Sequence, residues 1–248
     1  MATAEQPTLI VEADAEALAQ TAAERVMARI AANPSRIAIC LTGGSSPKRL
    51  YHLLGGAPRR GKIPWDRVHW FIGDERFVPE SDPLNNMAVA RATFLDGNAP
   101  AGHIHPIPTT AENPDQGAEA YARELQAFYG SESLDPTRPL FDLVLMGAGP
   151  DGHTASLFPG YPAIEETERW VVGVPKANVA PFVPRVSLTL PALASCREML
   201  FEIAGHDKQP ILTRLLNGET LPALRARSNG ETVWLVDQAA LPEGIRGR

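Results

Sequence analysis

Asp151 and His153 are the residues whose types and spacing best suit acid–base chemistry. They lie two positions apart in the run Gly147-Ala148-Gly149-Pro150-Asp151-Gly152-His153-Thr154-Ala155-Ser156-Leu157-Phe158. An imidazole titrates near neutral pH and can take a proton from water. A carboxylate two residues away can stabilise the imidazolium or orient the water, and the spacing leaves both roles open. The second chemical feature is Thr42-Gly43-Gly44-Ser45-Ser46-Pro47. Gly43 and Gly44 free the backbone, Ser45 and Ser46 offer hydroxyls, and Pro47 suits the first turn of a helix. Exposed N–H groups at a helix start bind phosphate, although a plain capped start uses the same groups. No Gly-Lys-Ser/Thr closes this loop, so it is not a P-loop. The third feature is Gly73-Asp74-Glu75-Arg76, in which Arg76 offers a guanidinium suited to bidentate contacts with phosphate or carboxylate. Asp74 and Glu75 join the candidate substrate-binding set with their contacts open. Arg185 and Lys208 supply further cations.

These residues need a scaffold that brings them together. Each of the three glycine-bearing loops follows a short apolar run: Ile37–Leu41, Val68–Ile72 and Phe141–Met146. Such runs read as strands buried on both faces of a parallel sheet. Ligands of open α/β sheets bind beyond the carboxyl ends of the strands, which is where all three loops would lie. A short helix is expected over 153–158, stopped by Pro159-Gly160. Gly147, Gly149 and Gly152 also match the dinucleotide fingerprint. That reading needs an acidic residue ending the next strand, and the next strand, Trp170–Val174, is followed by Pro175-Lys176. A turn kept for packing alone is the other alternative.

The rest of the chain supplies further elements. Leu18, Ala22, Val26 and Ile30 recur at a spacing of four and predict an amphipathic helix over 14–32, capped by Asp14. Helices are also expected from Pro47 through Leu54, over 82–95 with Asn85 and Asn86 near its start, and over 114–129. A helix capped at Asp207 should begin near Lys208. Arg185–Leu190 alternates like a strand with one exposed face, after a rigid Pro-rich connection at 180–184. Met199–Ala204 and Thr232–Val236 complete the strands. His103 and His105 flank Ile104, but no neighbouring carboxylate or cysteine completes a metal set. The whole therefore predicts a single α/β domain over 1–248, with one doubly wound, mostly parallel sheet and helices on both faces.

Composition narrows the function. Of 248 residues, 44% are hydrophobic, enough for one substantial core. The formal net charge is −6, with no basic run, so nucleic acid and anionic membrane are poor partners. No apolar run approaches the roughly 20 residues that span a bilayer, and the N-terminal stretch has no signal-peptide pattern. Cys40 and Cys196 sit in apolar contexts and read as buried thiols, which fits a reducing cytoplasm.

The ordered set of motifs resembles the 6-phosphogluconolactonases. It comprises Leu41–Pro47, Gly73-Asp74-Glu75-Arg76, Gly147–Phe158, Arg185-Val186-Ser187-Leu188-Thr189 and Gly205-His206-Asp207-Lys208. The likeness runs from about Ile10 to Val236. It implies a doubly wound sugar-phosphate isomerase/deaminase-like fold and hydrolysis of 6-phospho-D-glucono-1,5-lactone to 6-phosphogluconate, in the oxidative pentose phosphate pathway. The implied enzyme needs no metal or organic cofactor. Its partner is a small sugar-phosphate lactone, and its assembly a monomer or small homo-oligomer. On this reading His153 is the base and Asp151 its helper. Gly43, Gly44, Ser45 and Ser46 hold phosphate, with Arg76, Arg185 and Lys208 as cationic partners. The nearest rival is glucosamine-6-phosphate deaminase, whose turn continues into Ala-Phe-Asn-Glu-Pro. Here His153 is followed by Thr154-Ala155-Ser156-Leu157-Phe158-Pro159, without that carboxylate, and Arg76 stands where the deaminase has tyrosine. A sugar-phosphate-binding regulator is the non-enzymatic alternative, and such regulators usually add a DNA-binding domain for which no room is visible.

Overall fold

Most strands of this chain are short, largely apolar runs that bury nearly every side chain, and that pattern needs cover on both faces. In the computed structural model, which describes residues 6–244, six of them form one all-parallel sheet. These are β1 (Thr8–Glu12), β2 (Ile37–Leu41), β3 (Val68–Ile72), β5 (Leu143–Met146), β8 (Glu198–Ile203) and β9 (Glu231–Asp237), in the order β1-β9-β8-β5-β2-β3. The remaining strands, β4 (Asp74–Arg76), β6 (Val171–Val174) and β7 (Arg185–Leu188), make a small antiparallel sheet in the order β4-β7-β6. Gly73 joins the two sheets: its N–H donates to Leu41 O in the large one, and its carbonyl accepts from Leu188 N in the small one.

The helices are α1 (Ala15–Ala32), α2 (Pro47–Gly55), α3 (Asn86–Ala90), α4 (Pro114–Tyr129), α5 (Leu190–Ala194), α6 (Gln209–Leu216) and α7 (Pro222–Arg225). A π-helical turn at Arg91–Leu95 continues α3. They cover both faces of the large sheet, as alternate side chains of β3 record. Trp70 meets Phe94 edge-on at 5.1 Å on one face, while its neighbour Phe71 meets Phe128 of α4 at 4.8 Å on the other. Asp14 caps α1 by accepting from Ala17 N at 2.8 Å, and Asn113 caps α4. Arg25 and Arg29 of α1 reach the buried Glu198 at the start of β8.

The doubly wound α/β architecture agrees with the sequence reading, and several local expectations do not. The expected single sheet is two: β4, β6 and β7 leave the parallel layer. β1 was not anticipated, because Leu9 and Val11 are exposed on this edge strand and break the buried pattern. The helix expected over 82–95 starts only at Asn86, since the Asp82 carboxylate accepts from Leu84 N and holds a turn. Residues 153–158 form a tight turn rather than a helix, with an isolated bridge between Thr154 and Leu157 and a positive φ of 47° at Ala155. β7 has no exposed face, because α4 packs beside it. α6 follows a 3₁₀ turn at His206–Lys208 without a side-chain cap from Asp207.

Cys40 and Cys196 are both buried free thiols. Glu202 of β8 is 1% exposed, and neither of its carboxyl oxygens has a hydrogen-bond partner among the described residues. Burial pushes its carboxyl up to about 8.

Candidate active site

The topology reverses beside β2: β3 follows it on one side, and β5 lies on the other. Such a switch point opens a crevice at the strands' carboxyl ends. A cleft of about 410 Å³ lies there. Its walls include Gly43–Ser46, Asp74, Arg76, His153, Arg185 and Lys208, drawn from five separate stretches of the chain.

The Gly147–Phe158 turn is shaped by its own polar bonds. Gly149 N donates to His153 O at 2.8 Å, and Thr154 Oγ1 donates to Gly147 O at 2.7 Å. The His153 ring lies directly over Gly149, where an added Cβ would come within 2.0 Å of the imidazole. Only glycine permits that approach. His153 Nδ1 is 2.5 Å from Asp151 Oδ1, and the same oxygen accepts from His153 N at 3.1 Å. Burial pushes the Asp151 carboxyl up, but its bond to the His153 ring prevails and the carboxyl lies below its ordinary value. Asp151 does not line the cleft; it stands behind His153. A carboxylate on Nδ1 fixes that nitrogen as the N–H and leaves Nε2 as the acceptor. Phe158 packs against the ring at 4.9 Å.

Cations line the same cleft. Gly44 has φ of +92°, and α2 begins immediately after the loop, with Pro47 in its first turn and no side-chain cap from Ser46. An added Cβ on Gly43 would overlap the Asn86 amide at 2.1–2.4 Å, so glycine lets that amide seat against the loop. Asn86 in turn accepts from Arg76 Nη1 at 2.7 Å and donates to Asp74 O at 3.1 Å. Arg76 Nη1 also donates to Leu84 O, and its buried Nε has no partner among the described residues. Arg185 is 4% exposed and donates to Val183 O and Pro181 O. Burial pushes its guanidinium below its ordinary value, against the favourable pull of Asp74. Lys208 Nζ donates to Ala148 O at 3.0 Å, beside the His153 turn.

Adjacent residues of a strand point opposite ways, and the two carboxylates of β4 illustrate it. Asp74 lines the cleft and accepts from Ser156 Oγ at 2.6 Å. Glu75 points into the protein at 0% exposure, where Arg76 N, Asn86 N and Met87 N donate to it. Burial outweighs those three donors and pushes its carboxyl up to about 7. Glu75 is thus a brace for the start of α3, away from the cleft surface. Ser156, Val179 and Ala180 line the cleft without having been singled out in the sequence. Ser156 belongs to the His153 motif, and its burial beside Asp74 is the contact that spacing alone does not reveal.

His103 and His105 lie outside the cleft. His105 bonds Glu124 at 2.6 Å and His69 at 2.9 Å, and His103 stacks on His69. Burial, then the neighbouring His103 and His105, pulls His69 down to about 4. Among the described residues, no group of three or more such side chains is arranged to hold a metal ion. No helix among them is long and apolar enough to cross a membrane.

Several known proteins are similar to this chain over most of its length. A protein named 6-phosphogluconolactonase from Streptomyces coelicolor is 38% identical over 246 residues, covering 94% of this chain and 93% of that one. One of the same name from a Synechocystis species is 39% identical over 207 residues, covering 82% of each. The solved structure of 6-phosphogluconolactonase from Trypanosoma cruzi superimposes with a TM-score of 0.82 at 26% identity, covering 96% of this chain and 97% of that one. The family model described as glucosamine-6-phosphate isomerases/6-phosphogluconolactonase matches residues 13–234, a span that contains every motif lining the cleft, and the chain belongs to that family.

Proposed function

We propose that this chain hydrolyses 6-phospho-D-glucono-1,5-lactone to 6-phosphogluconate in the oxidative pentose phosphate pathway. The observation that carries the reading is that His153 lines one cleft together with Arg76, Arg185 and Lys208, cations fit for a phosphate. Gly43, Gly44, Ser45 and Ser46 hold the phosphate with the N-terminus of α2, and Arg76, Arg185 and Lys208 balance its charge. Asp74 is the carboxylate on the cleft surface, and it orients a sugar hydroxyl through the oxygen that Ser156 leaves available. The carboxylate braced inside, Glu75, keeps Arg76 and Asn86 in place.

The reaction needs a base, a positioned water and no redox step. His153 Nε2 takes a proton from water as its oxygen attacks the lactone carbonyl carbon. Asp151 stabilises the imidazolium that forms. The tetrahedral intermediate then breaks its bond to the ring oxygen, which receives the proton from His153 and departs as the C5 hydroxyl. The acid produced ionises to the aldonate. No carboxylate follows His153 on its turn to support ring opening of an amino sugar, and this favours lactone hydrolysis over deamination. We take the chain as a single catalytic domain working in the cytoplasm, as a monomer or small homo-oligomer.

The test is an assay of freshly generated 6-phosphogluconolactone against its spontaneous hydrolysis. Acceleration without added metal or nucleotide is expected. Ammonia release from glucosamine 6-phosphate at a comparable rate would overturn the assignment.

A further inference from the structure

The Pro-rich segment before β7 has a feature that the hydrolytic chemistry leaves unused. Phe182 is 67% exposed, far more than the other exposed large apolar residues, Leu9 at 37% and Val11 at 38%, which lie on β1. Single exposed apolar side chains are ordinary on protein surfaces. Phe182 differs in how its backbone is held. The carbonyls on either side of it, of Pro181 and Val183, accept from Arg185 at 2.7 and 3.2 Å. Val183 N donates to Pro181 O, and the Pro184 carbonyl accepts from Phe77 N, both at 2.8 Å. Val179 and Ala180, just before it, line the cleft, as does Arg185 itself. Phe182 itself does not line the cleft; its exposed ring stands next to cleft-lining residues, on a main chain fixed by one of the cationic residues of the cleft.

We propose that Phe182 is a substrate contact, packing over the apolar C–H face of the sugar ring whose phosphate lies near Arg185. This rests on the reading of the cleft as a phosphosugar-lactone site. A pyranose-type ring presents C–H groups on its faces, and an aromatic ring covers them while excluding water. Two flanking prolines and two anchored carbonyls mean that little backbone entropy is lost on binding; the side chain alone has to rotate. Arg185 links the two halves of recognition, since it faces the anion and holds the segment that presents the ring. Phe182 thus distinguishes a phosphorylated sugar ring from a bare anion, which the cationic wall alone does not do.

The test is steady-state kinetics on 6-phosphogluconolactone with inorganic phosphate as a competing anion, for the parent, Phe182→Ala and Phe182→Tyr. Lactonase activity of the parent is established first; its absence would remove the reading of the cleft itself and this proposal with it. With the parent active, Phe182→Ala should raise KM about three- to tenfold, the scale of one aromatic contact, with kcat within about twofold. Its inhibition constant for phosphate should match the parent's, and Phe182→Tyr should restore the parental KM. An unchanged KM in Phe182→Ala would overturn the proposal. So would equal weakening of lactone and phosphate, which would place the effect on the anion cavity.

Discussion

Arg76 and Arg185 are direct partners across the antiparallel β4–β7 pair, and neither forms an ion pair among the described residues. Like charges placed opposite each other in a sheet are destabilising. The oxygens that accept from the two guanidinium groups belong to carbonyls and an amide, not to carboxylates, and Arg76 Nε keeps no partner among the described residues, so hydrogen-bonding capacity is left for an anion. That arrangement concentrates positive potential where a phosphate dianion would sit.

Replacing Arg76 by Ala should weaken 6-phosphogluconate binding by about 1.5–3 kcal/mol, the scale of one charge-assisted hydrogen bond. Arg185→Ala and Lys208→Ala should act in the same direction. Calorimetric titration measures this, and phosphate-free gluconolactone should respond much less. Equal losses on both ligands would assign these cations to folding rather than to phosphate.

Gly149→Ala should disable the site without replacing a catalytic residue. The new methyl would occupy the space of the His153 ring, so the ring must leave its bond with Asp151. A kcat loss comparable to that of removing the imidazole is expected, with phosphogluconate binding retained. Gly44→Ala meets no neighbouring atom and suffers only from its φ of +92°, a strain of about 1–2 kcal/mol. It should lose stability, read by thermal unfolding, more than kcat.

Asp151→Asn should lower kcat by about 10²–10⁴-fold, because an amide in place of the carboxylate no longer fixes the ring tautomer or stabilises the imidazolium. Binding of 6-phosphogluconate should be little changed. A binding loss that matches the kcat loss would mean that Asp151 shapes the phosphate wall.

Glu202 should make the fold less stable as pH rises. Its carboxyl is pushed from 4.5 to about 8 by burial, so between those values the unfolded chain releases a proton that the folded chain keeps. Stability then falls with rising pH through that window and levels off above it. Glu75, raised to about 7, gives a slope of the same sign, present in parent and variant alike. Glu202→Met removes a buried group that has no hydrogen-bond partner among the described residues and should stabilise by about 1–3 kcal/mol, with a larger gain at pH 8 than at pH 5. Denaturant unfolding at the two pH values measures the difference. Equal gains at both would show that Glu202 does not titrate in this window.

Much of the scaffold was legible because apolar periodicity decides it. β2, β3 and β5, with α1, α2 and α4, bury the stripes or whole runs that their apolar patterns mark. β4 was not, because a three-residue strand exists only through pairing with β7, far along the chain. The turn after His153 misled for a related reason. Its residues can start a helix, but Thr154 bonds back to Gly147 and Ser156 is drawn onto Asp74. The sequence placed Asp151 near His153 and left its role open; the bond to Nδ1 puts it behind the ring. Asp74 and Glu75 were indistinguishable as adjacent carboxylates, and strand alternation sends one to the cleft and the other inside.

The central claim is that His153 takes the proton from water. Its most direct test pairs kcat on 6-phosphogluconolactone with the dissociation constant of 6-phosphogluconate, for the parent and a folded His153→Asn variant. Asn keeps polarity and approximate size but cannot act as a base near neutral pH. A fall in kcat of about 10²–10⁴-fold is expected, with phosphogluconate affinity largely preserved and thermal unfolding unchanged. A folded His153→Asn enzyme with near-parental kcat would contradict the account.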